Sequence, residues 1–345
     1  MINIHFINLT NVTPEKYKEE YFVLRQQFEE EKFGYLPPAL EYYRILQNLP
    51  EEDGKAFYPT LLVNDDDSVI GFGIQGWNTK YDNLQSGWLD LFITPQMRRK
   101  GLGLIILKKI ISIFPEQVKI LHAYAMRSTR GFFFLKQFKN KPDSEEYMLT
   151  ADITEFDVAE IRKEIRILAD KTKKNGYEIV KIENLNFDNS LSIEDFVALT
   201  EEIANDIPRG EFSVERMVHT TERYRNRIER HLLAGYTVVS FVAVDISSGK
   251  PLGFTTVVTN KYYPHQAKQR HTGVLSSHRG RSLGLMLKYQ TLLFLLEKTK
   301  VRYWTTENNT TNIHMFKINK LLKHKITNIQ SGFEINKEEI VKLLT

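Results

Sequence analysis

The 345-residue chain has no cysteine. That excludes disulfides, thiolate nucleophiles and cysteine-ligated zinc together, and it fits a reducing compartment. Long apolar runs are missing too. The longest candidates, "LIILKKIISIF" and "LLFLLE", are short and carry charges, so no membrane span is expected. The opening "MINIHFINLT" lacks the basic region and apolar run of a signal peptide. These absences lead us to expect a cytoplasmic, soluble protein. Excess charge of one sign is also lacking: 47 Lys and Arg stand against 43 Asp and Glu, a net charge of +4. That is too little to argue for nucleic acid, although a local basic patch can still bind a phosphate. The nine histidines show no metal-ligand spacing, so no metal is expected.

Core material is plentiful, with 21 Phe and 16 Tyr. The chain is too long for one ordinary core, so two domains are expected. The order of elements supports a duplication. "NIHFINL" alternates as a strand, residues from about Pro14 to Glu31 have helical periodicity, and "FYPTLLV", "NDDD" and "VIGFGIQGW" read as a hairpin. "SGWLDLFI" is a strand, a helix follows from about Gly103 to Phe114, and "KILHAYAM" is a further strand; "GFFFLKQF" reads as a short helix or strand. Residues Asp157 to Lys174 form an amphipathic helix stopped by Asn175-Gly176. After it the order begins again with "YEIVKI", "IEDFVALTEEIAND", the hairpin "YTVVSFVAVD"/"PLGFTTVVT", "HTGVLS", a helix through "LGLMLKYQTLLFLLEK", "VRYWTTEN" and "NIHMFKINKLLK". The acidic runs Glu29–Glu31 and Asp65–Asp67 read as solvated turn faces.

In each half a strand leads into a basic, glycine-containing turn and then a helix. "PQMRRKGLGLIILKKI" runs from Pro95 to Ile110, and "SSHRGRSLGLMLKYQ" from Ser276 to Gln290 repeats its plan. Glycine lets the chain turn tightly enough to aim several backbone N–H groups at one point, and a helix start adds its positive dipole end. A single turn of this kind is as readily plain connection as a phosphate grip. The repetition makes the grip the better reading. A Walker loop would need Gly-Lys-Ser/Thr, and a dinucleotide fingerprint a third glycine near the start of the domain; neither is present.

"LDLFITPQMRRKGLGLIIL" resembles motif A of the GNAT acyltransferases, the Gcn5-related N-acetyltransferases, with their Arg/Gln-x-x-Gly-x-Gly/Ala signature. "QRHTGVLSSHRGRSLGLMLK" and "TENNTTNIHMFKIN" are similar to the tandem branch that includes mycothiol-synthase-like enzymes. The resemblance implies an α/β protein with two tandem GNAT-like domains, each a mixed sheet that splays between its fourth and fifth strands. The boundaries expected from sequence are 1–154, a helical connector 155–175, and 176–345. Acetyl-CoA is the implied co-substrate. Its pyrophosphate would be held by Arg98, Arg99, Lys100, Gly101, Leu102 and Gly103 in the first half, and by Arg279, Gly280, Arg281, Ser282, Leu283 and Gly284 in the second. Asn312 matches a CoA-contacting position.

N-acetyl transfer needs a base for the amine and a proton for the departing thiolate, but no metal. Asp90 lies eight residues before Arg98, on one strand face with Trp88 and Phe92. It reads as a base if buried, or as a structural acceptor; both stay open. The position eight before Arg279 is His271, where the branch has Asp; a histidine there can act as a base near neutral pH. The family's Tyr donor is missing: its place falls near Leu135 and Asn319, and Tyr124 is the available substitute or else a core aromatic. Ser282 stands where the motif has glycine, which weakens the second loop, so the first half is expected to be the main acetyl-CoA site. The acceptor is expected to be a primary amine of a small molecule or peptide, and a homodimer stays open. The rival readings are a catalytically degenerate protein that binds CoA or a partner without turnover, and, least favoured, a nucleic-acid binder using "RRK".

Overall fold

The structure is a computed structural model that describes residues 3–34, 37–187 and 191–344. In chain order the first half gives β1 (Ile4–Asn8), α1 (Glu15–Phe33), α2 (Leu40–Gln47), β2 (Lys55–Asn64), β3 (Val69–Asn78), β4 (Ser86–Ile93), α3 (Leu102–Ile111), β5 (Ile120–Met126), α4 (Arg130–Leu135) and β6 (Ser144–Asp152). Next come α5 (Val158–Lys174), β7 (Tyr177–Glu183), α6 (Ile193–Asp206), α7 (Thr221–Leu233), β8 (Tyr236–Asp245), β9 (Pro251–Asn260) and β10 (Gln266–Val274). The chain ends with α8 (Leu283–Lys298), β11 (Tyr303–Asn309), α9 (Ile313–Leu321), β12 (Lys325–Asn336) and α10 (Lys337–Leu344). Local chemistry sets several boundaries. Asp157 caps α5 by accepting from the amides of Ala159 (2.7 Å) and Glu160 (3.0 Å). Ser192 caps α6 through the amide of Asp195, which returns the contact with its carboxylate. The sequence reading had no place for α2, α7, β6, β12 or α10. Of these α2 is only eight residues long, and along β6 buried and half-buried positions do not alternate cleanly.

Two compact units result, and neither is a contiguous half of the chain. Unit 1 comprises Met1–Glu145, Gly210–Arg216 and Ile329–Thr345; unit 2 comprises Glu146–Arg209 and Met217–Asn328. The boundaries expected at 154 and 176 are therefore corrected. Most of β6 belongs to unit 2, where it pairs with β11, and most of β12 belongs to unit 1, where it pairs with β5. A strand's own residues do not encode which open sheet edge it will join. The helix expected as a connector, α5, packs on α8 within unit 2.

The strand order is β1-β2-β3-β4-β5-β12 in unit 1 and β7-β8-β9-β10-β11-β6 in unit 2. Neighbours are antiparallel except for β4/β5 and β10/β11, which are parallel. In unit 1 the aromatic face of α1 covers one side of the sheet: Phe28 meets Phe72 and Phe92 edge-on at 5.7 and 6.0 Å. The other side is buried under α3 through Ile106 and Ile110. In unit 2, Phe196 of α6 meets Phe254 edge-on at 5.5 Å, and α8 buries Leu287, Leu292 and Leu295 with Trp304. Each such buried side chain contributes roughly 1.5–3 kcal/mol.

Candidate functional site

The glycine-containing turns have one backbone design. Arg98 is extended, Arg99 and Gly101 lie in the left-handed region at φ 61° and 78°, and Gly101 caps α3. In unit 2, Arg279 is extended and the left-handed pair is Gly280 and Ser282, at φ 76° and 65°. Each loop thus spends one glycine on a two-residue left-handed requirement, at opposite members of the pair. Ser282 has not broken the second loop: it adopts the backbone of Gly101, and its Oγ accepts from Lys171 Nζ at 3.0 Å. Among the described residues, the amides of Arg99 to Gly103 and of Gly280 to Gly284 donate to no protein acceptor. Five successive free amides at a helix start make an anion cradle.

The first arginine of each motif has protein partners. Arg98 Nε donates to the carbonyl of Ile93 (2.8 Å), and its two terminal nitrogens grip Glu31 at 3.1 and 2.6 Å. Arg279 Nε donates to the carbonyl of Val274 (3.0 Å), and a terminal nitrogen pairs with Asp206. Both guanidiniums brace the end of a strand against an acidic residue of a helix. Glu31 and Glu29, read from sequence as a solvated run, are partners of Arg98 and Arg25.

In unit 1 the parallel pairing of β4 and β5 runs from Ser86/Ile120 to Leu89/Ala123 and then stops. Beyond it lies a cleft of about 600 Å³, walled by Asp90 to Ile93 and Tyr124 to Met126 and flanked by the loop and α4. Lining side chains are mainly apolar, among them Phe28, Phe92, Phe133 and Phe134. Asp90 and Tyr124 both line it, and Asp90 is ion-paired with Lys32 of α1 at 3.0 Å. Leu135, at the place of the family's Tyr, is buried in the cleft wall. Behind Tyr124 the ring of Phe212 packs edge-on against Tyr124 and His122, at 5.9 and 5.0 Å. His122 is buried with neither ring nitrogen bonded among the described residues, and burial lowers its pKa against the pull of Glu334 and Asp143.

Unit 2 repeats the divergence: β10 and β11 pair only from Gln266/Tyr303 to Lys268/Thr305. Here β10 is also bulged between Gln269 and Thr272, which takes Arg270 and His271 off the β9 ladder; β4 has no such bulge. Desolvation, followed by Arg227 and Arg270, pushes His271 down to about 4, so its ring is neutral at pH 7 and a weaker base than the sequence suggested. The residue nevertheless keeps accessible surface. Asn312 caps α9 by accepting from the Met315 amide at 3.1 Å. Asn319, at the second Tyr position, is fully buried and accepts from Lys288 Nζ at 2.7 Å.

No protein-family model matches the sequence, and no curated protein matches it. Solved structures do. The tandem GNAT protein of the clavulanic acid biosynthesis pathway is 18% identical, with a TM-score of 0.76 over 97% of this chain and 99% of its own. The chain carries the GNAT fold twice. A GCN5-related N-acetyltransferase from Sphaerobacter thermophilus is 14% identical, with a TM-score of 0.60 over 96% of both chains. A GCN5-related glucosamine N-acetyltransferase region of a fungal multi-domain GH3 β-N-acetylglucosaminidase is 12% identical; the match has a TM-score of 0.67 and covers 96% of this chain and 38% of that one. Among the described residues, no helix is long and apolar enough to cross a membrane, and no group of three His, Asp or Glu could hold a metal ion. Lys32, which pairs with Asp90, and Phe212, which packs on Tyr124, were missed in the sequence, where neither carries a motif.

Proposed function

We propose that this protein is an acetyl-CoA-dependent N-acetyltransferase that transfers the acetyl group to a primary amine of a small molecule or peptide by direct attack. The observation that carries the reading is the free-amide loop at the mouth of the unit 1 cleft, where β4 and β5 part. The amides of residues 99–103 suit a pyrophosphate, and the strand edges left unpaired beyond Leu89 and Ala123 suit the amide-bearing pantetheine arm. Asp90, fixed by Lys32, can accept a hydrogen bond from the incoming amine and orient it. Tyr124 is the phenol available to return a proton to the leaving sulfur. The tandem GNAT fold supports the same reading.

Gly101 tests it. A side chain there meets nothing within 4 Å but must adopt φ 78°, and a carboxylate would place negative charge in the cradle. Gly101→Glu is expected to abolish acetyl-CoA binding to unit 1 in calorimetry; unchanged binding would contradict the assignment. The Lys32–Asp90 ion pair favours a second reading, in which unit 1 binds acetyl-CoA without turning it over. Amine-dependent thiol release that is lost in Gly101→Glu would exclude it.

A further inference from the structure

Unit 2 contains a carboxylate that the chemistry above does not use. The β6/β11 register sets Glu146 opposite Asn309 and Glu307 opposite Met148, so Glu146 and Glu307 are diagonal neighbours on one sheet face. Lys268, level with Thr305, shares that face, and its Nζ is 2.7 Å from Glu307 Oε1. Glu307 is therefore neutralised. The Glu146 side chain makes no ion pair or hydrogen bond among the described residues and is half-buried. The face lies where β10 and β11 part, beside the β10 bulge and after the last paired rung. The loop that follows β10 has the same free amides and left-handed pair as the loop of unit 1.

We propose that unit 2 holds a second acyl-transfer centre, in which Glu146 takes the proton from a small primary amine that also carries a negative charge. The inference rests on the acyl-CoA reading of the loops. Burial first, then the charge of Glu307, raises the Glu146 carboxyl to about 7 against the opposing pull of Lys268, which matches a base to neutral pH. Arg227 and Arg270 are the guanidiniums that act most strongly on His271, a ring on which Glu307 also acts, so charges of both signs lie around it. The two guanidiniums suit the carboxylate or phosphate of the acceptor, while Glu146 suits its ammonium. In the step, the Glu146 carboxylate removes a proton from the ammonium, and the freed lone pair attacks the thioester carbonyl carbon. The C–N bond forms, the C–S bond breaks with its electron pair leaving on sulfur, and the second amine proton passes through water to the thiolate.

The test is thiol release from acetyl-CoA by the full chain carrying Gly101→Glu, so that unit 1 does not contribute, with Glu146 variants made in that background. The probes are serine, β-alanine and glucosamine 6-phosphate, each set against its uncharged partner: serinamide, β-alaninamide and glucosamine. At least one anionic probe is expected to react about tenfold or more faster than its partner. Its kcat should fall on the acid side of a pKa near 7, set by Glu146 with Glu307 and Lys268 facing it. Glu146→Gln should lower kcat about 100-fold or more and remove that limb, with acetyl-CoA binding and melting temperature kept. Glu146→Asp should keep the limb. Undiminished turnover in Glu146→Gln, an unmoved limb, or no release with any probe overturns the proposal. Its failure is distinct from failure of the acyl-CoA reading, which would show as acetyl-CoA binding unaltered in both Gly101→Glu and Gly284→Glu.

Discussion

Lys288 is a cation with almost no water around it. It is fully buried on α8, with its Nζ held by Asn319 and 5.3 Å from the centre of the Trp304 ring. Burial lowers its pKa from 10.5 to about 7. Between those values the unfolded chain binds a proton that the folded chain refuses, so stability rises with pH through the window, by at most about 1.4 kcal/mol per unit. Below about 7 both states are protonated and the full cost is present. Lys288→Met removes this dependence, although it leaves Asn319 Oδ1 without its donor, a pH-independent cost of about 1–3 kcal/mol. The melting temperature of the variant relative to wild type should be highest near pH 6 and fall steadily toward pH 10; a constant difference would show that Lys288 does not titrate here. Residues of this kind are poorly legible in sequence. Lys288 sits in a run that reads as an ordinary amphipathic helix, and Lys32 follows three glutamates that read as a solvated face. Their roles come from partners far along the chain. The loop glycines were legible because their requirement is local: a left-handed backbone at a helix start can be read from a few residues.

At the scale of elements, the two units share one plan and differ in how the plan is executed. β4 is regular and β10 is bulged; the wedge beside the cleft is Leu135 in unit 1, and the matching place in unit 2 holds the polar Asn319. The duplicated order of strands and helices was visible from alternation and periodicity, but a bulge was not, because it changes register without changing composition. Unit 1 also receives the short segment Gly210–Arg216. Its Ser213 amide donates to Glu334 at 2.7 Å, its Glu215 amide donates to Asn83 Oδ1 at 2.9 Å, and its Phe212 ring lies over Gly332 of β12. A Cβ at Gly332 would fall 2.5 Å from the Phe212 ring and 2.9 Å from that of Tyr124. Gly332→Ala and Phe212→Ala should each lower the melting temperature, yet the double variant should lose less than the sum, since removing the ring removes the clash. Additive losses would mean that the two positions do not meet.

At the scale of the whole molecule, membership of the two units cannot be assigned by cutting the sequence at one place. A fragment of residues 1–154 contains the entire first loop, but it lacks β12, the antiparallel partner of β5, and it carries β6 without β11. Two strand edges would be left open, a condition that promotes aggregation. The fragment is expected to be insoluble or to lack dispersed amide signals in two-dimensional NMR, while the full chain is folded; a well-folded fragment would contradict the unit boundaries. The same assignment of residues 329–345 to unit 1 bears on how the chain is made. Every residue of unit 2 has been synthesised before residue 329, so the unit that starts later can close first. Domains generally fold in order from the N-terminus during synthesis; here the first unit must wait, with the edge of β5 unfilled, until residues 329–345 have left the ribosome.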